Sequence, residues 1–139
     1  MICKSIVKFP VRYYECDQMG IVHHSNYVRY CEVGRCDMMT KGGLPIGEFE
    51  KKLHVMMPVV SVELHYKHVA KVDDVLTVVS MIEKDPMAKV EVLNEIYNQD
   101  EVLLCTAKIV LGFIKSDTRR PTRCPEAFHE AIRKVGLGV

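Results

Sequence analysis

Residues 11–35 read VRYYECDQMGIVHHSNYVRYCEVGR. An acid, Asp17, a glycine, Gly20, and two histidines, His23 and His24, stand directly before Asn26 and Tyr27. A strand-like alternation ends ahead of them, and a helical spacing begins after them. A helix N-terminus offers unpaired N–H groups and the positive end of the helix dipole, so negative charge developing on an oxygen is stabilised there. A carboxylate a few residues upstream, Asp17, has the chemistry of a general base or a nucleophile. His24 can donate a hydrogen bond to a carbonyl, or orient water or substrate. Gly20 lets the backbone pass close to a ligand. These parts suit attack on an acyl carbon, in an ester, a thioester or an amide alike.

Each residue also has a plain structural use. Asp17 can cap a turn and Gly20 can supply a positive φ. Asn26 can cap the helix or hold the preceding loop, and Tyr27 can be core, ligand contact or both. The side chains of the adjacent His23 and His24 are expected to diverge. With no HxxxH, HExxH or close Cys/His set, a metal site has no support from spacing. Cys16 has no base placed for it as a nucleophile. Glu32 lies three residues from both Arg29 and Arg35, a spacing that pairs charges on one helix. A role for Glu32 in the site requires it to face an acyl group in the seam between helix and sheet.

Elements must position these groups. Residues 5–13 alternate as a strand, with Pro10 marking an edge or bulge. Residues 14–23 read as a loop. A helix follows from about Ser25 to Thr40, capped by Ser25 or Asn26 and stopped by Gly42 or Gly43. Its apolar stripe is Tyr27, Tyr30, Cys31, Gly34 and Met38, and Gly34 suits close approach by a neighbouring backbone. After a short connector, VVSVELHYKH predicts a strand with Val60, Val62, Leu64 and Tyr66 on one buried face. Two further strands follow, DDVLTVVSMIEK and KVEVLNEIYN. The run VLLCTAKIVLGFIK is apolar on both faces, which predicts a central strand, with Gly112 as a bend. PEAFHEAIRKVG predicts a final amphipathic helix, and GLGV a terminal turn rather than a phosphate loop.

Four late strands in series favour antiparallel pairing, because parallel neighbours need long crossovers. The economical result is α+β: one curved antiparallel sheet of about five strands around one long helix. The sheet face away from the helix is then expected to be covered partly by self-association.

The chain has 139 residues, which fits a single domain over 1–139. Its 19 Lys and Arg against 18 Asp and Glu give no electrostatic case for nucleic acid. No apolar run is long enough to span a membrane, and residues 1–9 lack a signal-peptide pattern. The six cysteines form no CxxC and read as reduced thiols of a cytoplasmic protein.

YYECDQMGIVHHSNYVRYCEVGR resembles the signature of hotdog-fold acyl-CoA thioesterases, and most closely the 4-hydroxybenzoyl-CoA thioesterase family with its bacterial short-chain acyl-CoA relatives. The matching positions are Tyr13 and Tyr14, Asp17, Gly20 and Val22, His24, Asn26 and Tyr27, and Glu32 with Arg35. Only Glu15 and Cys16 stand between the tyrosine pair and Asp17, where many relatives have one residue more. HYKHVAKVDDVLTV also resembles the family's second strand and turn. The resemblance implies hydrolysis of an acyl-CoA thioester, with acyl-carrier protein as a further partner and no cofactor or metal expected; the rival readings are a dehydratase on the same fold and a catalytically silent acyl-CoA or acyl-carrier-protein binding module. It implies Asp17, His24 and Tyr13 in the catalytic site, and Gly20, Val22, Asn26, Tyr27 and Glu32 around the substrate. It implies a homodimer or homotetramer with active sites between subunits. CoA phosphates would meet a basic turn such as Arg119–Arg120, and acyl selectivity would depend on Met38, Met39, Phe49 and Met57.

Overall fold

A computed structural model describes residues 1–137. Strand β1 (Cys3–Pro10) leads through a 3-10 turn (Tyr13–Glu15) and a loop into helix α1 (Asn26–Lys41). Helix α2 (Ile46–Leu53) and strand β2 (Val55–Met56) follow. Then come β3 (Val59–Tyr66), β4 (Val75–Ile82), β5 (Lys89–Tyr97), β6 (Leu103–Gly112), β7 (Ile114–Lys115) and helix α3 (Glu126–Val135). The end of the predicted GLGV turn lies outside the described residues.

Five strands form one antiparallel sheet in the order β1-β4-β5-β6-β3. β4, β5 and β6 are sequence neighbours joined by short turns, so they pair in series. β1 closes one side from Cys3 opposite Ile82 to Pro10 opposite Val75. Pro10 thus ends an edge strand, where a missing N–H costs no ladder bond. The result is the expected α+β arrangement of one sheet and one long helix.

Helix α1 buries Tyr27, Tyr30, Cys31, Gly34 and Met38, the stripe read from the sequence, together with Asn26 and Met39. Gly34 sits where helix and sheet come closest. A Cβ there would stand 2.6 Å from Ser80 Oγ and 2.8 Å from Val78 Cγ1, both on β4. Beneath it the Asn94 side-chain amide donates to Ser80 Oγ at 2.8 Å, which gives the buried hydroxyl a partner. The far end of α1 is closed by a Schellman motif. Leu44 N–H donates to Met39 O and Gly43 N–H to Thr40 O, with Gly43 at φ 78°.

Three expectations need correction. The strand beginning near Val102 is not the sheet centre: β5 is, and β6 lies one strand from the edge with Thr106, Lys108 and Val110 reaching solvent. That run also does not stay in one ladder. After Gly112, whose N–H donates to Pro58 O, the chain turns away and β7 pairs with β2. Most sharply, β3 is not buried on one face. Val59, Val60, Val62 and Tyr66 are 48%, 53%, 45% and 52% exposed, because β3 is the sheet edge and α1 lies chiefly over β1 and β4.

Candidate active site

The loop from Cys16 to Val22 is a closed hairpin-like turn. Cys16 and Val22 form an isolated antiparallel bridge, and Asp17 N–H donates to Ile21 O at 2.9 Å. Inside it, Gly20 N–H donates to Asp17 O, and Met19 N–H donates to Asp17 Oδ1 at 2.8 Å. Asp17 therefore does hold a turn, as its plain structural reading has it. Among the described residues, its second carboxylate oxygen has no hydrogen-bond donor. Gly20 has φ 77°, and a Cβ there would meet nothing within 4 Å, so its requirement inside the chain is conformational rather than steric.

The loop is tied to the segment that follows β3. Val22 N–H donates to Ala70 O at 2.8 Å, and Ile21 bridges Lys71. Tyr27, buried at the start of α1, accepts a hydrogen bond from Ala70 N–H on its hydroxyl at 3.2 Å. Asn26 is also buried, and its side-chain amide donates to Glu15 O at 2.7 Å. Asn26 thus holds the loop instead of capping the helix. Ser25 does not cap it either: the Ser25 hydroxyl lies 2.8 Å from His23 Nδ1. Ser25 N–H donates to the same nitrogen at 3.3 Å, so Nδ1 is the acceptor and the neutral ring carries its proton on Nε2.

These uses leave the His24 backbone donor open at the helix mouth. Within the described residues the His24 N–H has no hydrogen-bond partner, whereas Asn26 N–H and Tyr27 N–H donate to His23 O and His24 O. The two imidazoles do not diverge as expected. They lie with ring centroids 4.2 Å apart and planes at 31°, because the chain turns between them instead of running extended.

A cavity of about 330 Å³ opens here, walled by Asp17, Val22, His24, Tyr27, Tyr66 and His68 among others. Asp17, Val22, His24 and Tyr27 were named from sequence; Tyr66, Lys67, His68 and Val69 were not. The available signal was that HYKH ends the strand that runs back towards the loop. Partial burial raises the phenol pKa of Tyr66, and deeper burial that of Tyr27, so both hydroxyls stay protonated at neutral pH. On the other side of Asp17 a polar recess of about 420 Å³ is lined by Tyr14, Cys16, His23, Asn26 and Arg29.

Other named residues sit elsewhere. Tyr13 is 85% exposed on the 3-10 turn and lines neither cavity, because β1 ends at Pro10 and no longer aims it. Glu32 is on the helix well past its mouth, 3.6 Å from Arg35, and the two border a separate 240 Å³ cavity with Met39 and Met57. Met38 and Phe49 are core residues, with Phe49 edge-on to Phe128. Arg119 and Arg120 occupy an exposed turn and do not line the Asp17 cavity. Among the described residues no group of three or more His, Cys, Asp and Glu is placed to hold a metal ion, and no helix is long and apolar enough to cross a membrane.

The profile of the thioesterase-like superfamily matches residues 11–132. The chain belongs to that superfamily. The chain is similar to the Bacillus subtilis protein named "Putative acyl-CoA thioesterase YneP". It is 33% identical over 131 residues, covering 92% of this chain and 94% of that one. Acyl-CoA thioesterase YbgC of Helicobacter pylori is 26% identical over 133 residues, covering 90% and 97%. A crystal structure of DHNA-CoA thioesterase from Staphylococcus aureus matches with a TM-score of 0.86 at 32% identity, covering 95% of this chain and 90% of that one. This thioesterase-superfamily chain has the hotdog fold, its sheet curved around α1, and its class is thioester hydrolase.

Proposed function

We propose that the protein hydrolyses acyl-CoA thioesters at the cavity shared by Asp17 and His24. The observation that carries the reading is the pairing of a carboxylate with one oxygen free of donors and an unpaired N–H at the mouth of α1, on residues that wall one cavity. The thioester oxygen points at His24 N–H, where the helix dipole also favours its developing charge. The names of the relatives support an acyl-CoA substrate.

Two routes are open to Asp17. As general base it takes a proton from water; the hydroxide bonds to the acyl carbon, the C–S bond breaks, and the thiolate leaves and is protonated. As nucleophile its oxygen bonds to the acyl carbon as the C–S bond breaks, and water then opens the mixed anhydride. Label found on Asp17 after single turnover in ¹⁸O-water identifies the second route, with water attacking the aspartyl carbonyl and the acyl carboxylate leaving; the first route never places label there. The imidazole of His24 orients substrate or water. Gly20, Val22, Asn26 and Tyr27 shape the loop beside the thioester.

The exposed apolar edge β3 favours pairing with a second copy, since such an edge is a template for another strand. A homodimer is the functional unit in this reading, and Tyr13 and Glu32 meet substrate only through that assembly.

An acyl-CoA panel with a thiol-trapping reagent tests the proposal. Wild type releases free CoA thiol. Asp17→Asn keeps the acceptor for Met19 N–H, so it folds, but loses at least about 100-fold in kcat. Equal rates in the two proteins remove Asp17 from the mechanism. His24→Ala keeps the backbone donor and loses less, by about tenfold; a loss no larger than about twofold denies its side chain a direct role.

A further inference from the structure

Tyr66 pairs with Cys105 at the end of the β3–β6 ladder. It is the last residue of the edge strand β3 and 52% exposed, yet its hydroxyl is engaged. It donates to the carbonyl oxygen of His24 at 3.2 Å, across 42 residues of sequence. Its ring stands edge-on to Tyr27, with centroids 5.3 Å apart and planes at 73°.

His24 carries two backbone groups with different tasks. Its N–H has no partner among the described residues; its C=O accepts from Tyr27 N–H at the start of the helix. That carbonyl is poorly held from within, because Tyr27 N–H reaches it only at 3.4 Å, against 2.9 Å for the preceding Asn26-to-His23 bond. No side chain caps this helix end to compensate. The Tyr66 hydroxyl adds a second donor from outside the helix. The His24 N–H lies in the preceding peptide unit, whose carbonyl, His23 O, accepts from Asn26 N–H at 2.9 Å; the two units join at the His24 Cα through φ and ψ, so holding the second carbonyl plane narrows the swing of the first. A donor that must meet a developing oxyanion gains when that swing is restricted before the reaction begins.

We infer that Tyr66 is a positioning residue for this hydrolysis, holding the His24 carbonyl from β3 so that the His24 N–H, in the adjoining peptide unit, is kept pointing into the cavity. The inference rests on the proposed function of the Asp17–His24 cavity. Tyr66 acts through the backbone and not as an acid: its proton stays on oxygen throughout, and only the orientation of the amide depends on it. Tyr27 braces the same turn from beneath through Ala70, so the helix mouth is held on two sides by the segment that ends β3.

The test is Tyr66→Phe, assayed beside wild type and Asp17→Asn with the same acyl-CoA panel. Phe keeps the edge contact with Tyr27 and removes only the hydroxyl. The expected result is a fall of about five- to tenfold in kcat. KM should stay within about twofold, because an oxyanion donor acts in the transition state more than in the ground state. The fall should be the same for every acyl group, since the thioester carbonyl is common to all. An unchanged kcat overturns the inference. So does a loss confined to certain acyl groups, which would make Tyr66 an acyl contact, and so does a loss expressed only in KM. If wild type releases no thiol, the proposed function fails first; if wild type is active, Asp17→Asn is dead and Tyr66→Phe matches wild type, only the positioning role fails.

Discussion

The two ends of helix α1 are built on opposite principles. At the C-terminal end every available device closes the helix: a Schellman motif, a glycine with positive φ, and Leu44 buried behind it. Gly42 lies against α3 so tightly that a Cβ would stand 2.7 Å from Ala131 O. At the N-terminal end no side chain caps the helix, the His24 N–H is open, and the flanking histidines are exposed. A cap there would add roughly 1 kcal/mol of stability. Its absence leaves the His24 N–H and the dipole free for a ligand, so one end of the same helix serves stability and the other carries the proposed site.

Substitutions should therefore separate along the helix. The largest stability effect belongs to the seam behind the closed end. Gly34→Val should lower the unfolding free energy by about 3 kcal/mol through overpacking against Ser80 and Val78, with kcat of the folded fraction little changed. Denaturant titration beside kcat on the soluble protein checks this, and an undiminished midpoint would mean the helix can lift off the sheet at no cost. Gly42→Ala should cost about 2 kcal/mol by the same measure, since the neighbour is a backbone carbonyl that cannot rotate away.

Gly20→Ala belongs to the open end and should invert the pattern. The space is empty, so the loss of about 1 kcal/mol comes from φ 77° alone. The turn that carries Asp17 should relax towards an allowed conformation and lower kcat several-fold. A variant with wild-type kcat would show that Asp17 does not depend on this turn.

The closed core should also show a pH dependence. Burial pushes the thiols of Cys3 and Cys105 up to about 11, and those of Cys31 and Cys124 up to about 12, from an ordinary value of 9.0. The unfolded chain then loses these protons first as pH rises. Their contribution is complete below pH 9 and drains between pH 9 and about 12. Unfolding midpoints measured from pH 8 to 10.5 should fall only in the upper part of that range. The same burial means that a thiol reagent at pH 8 should modify Cys16 and Cys36, which are partly exposed, before the other four.

Much of the closed end was legible in the chain. Tyr27, Tyr30, Cys31, Gly34 and Met38 mark the buried stripe by spacing alone, and the two glycines after Lys41 mark its stop. That Asp17, Val22, His24 and Tyr27 would share one cavity was legible because they cluster within eleven residues that a single loop can fold together. Tyr66, Lys67 and His68 were not, since they reach the cavity only through the pairing of β3 with β6 and the ties from Ala70 to the loop. The alternation of β3 was read correctly as a strand and wrongly as a buried face. Alternation reports that a strand has two faces; it does not report what covers either one.

The sequence by itself determined the long helix, the main strands and their order, because periodicity and turn formation are set by neighbours along the chain. The tertiary structure alone decided that β3 is an exposed edge, that Asn26 braces a loop, and that a tyrosine on a distant strand holds the carbonyl of His24. Those outcomes depend on which surfaces meet in space, and contacts between residues far apart in the chain leave no mark in local spacing.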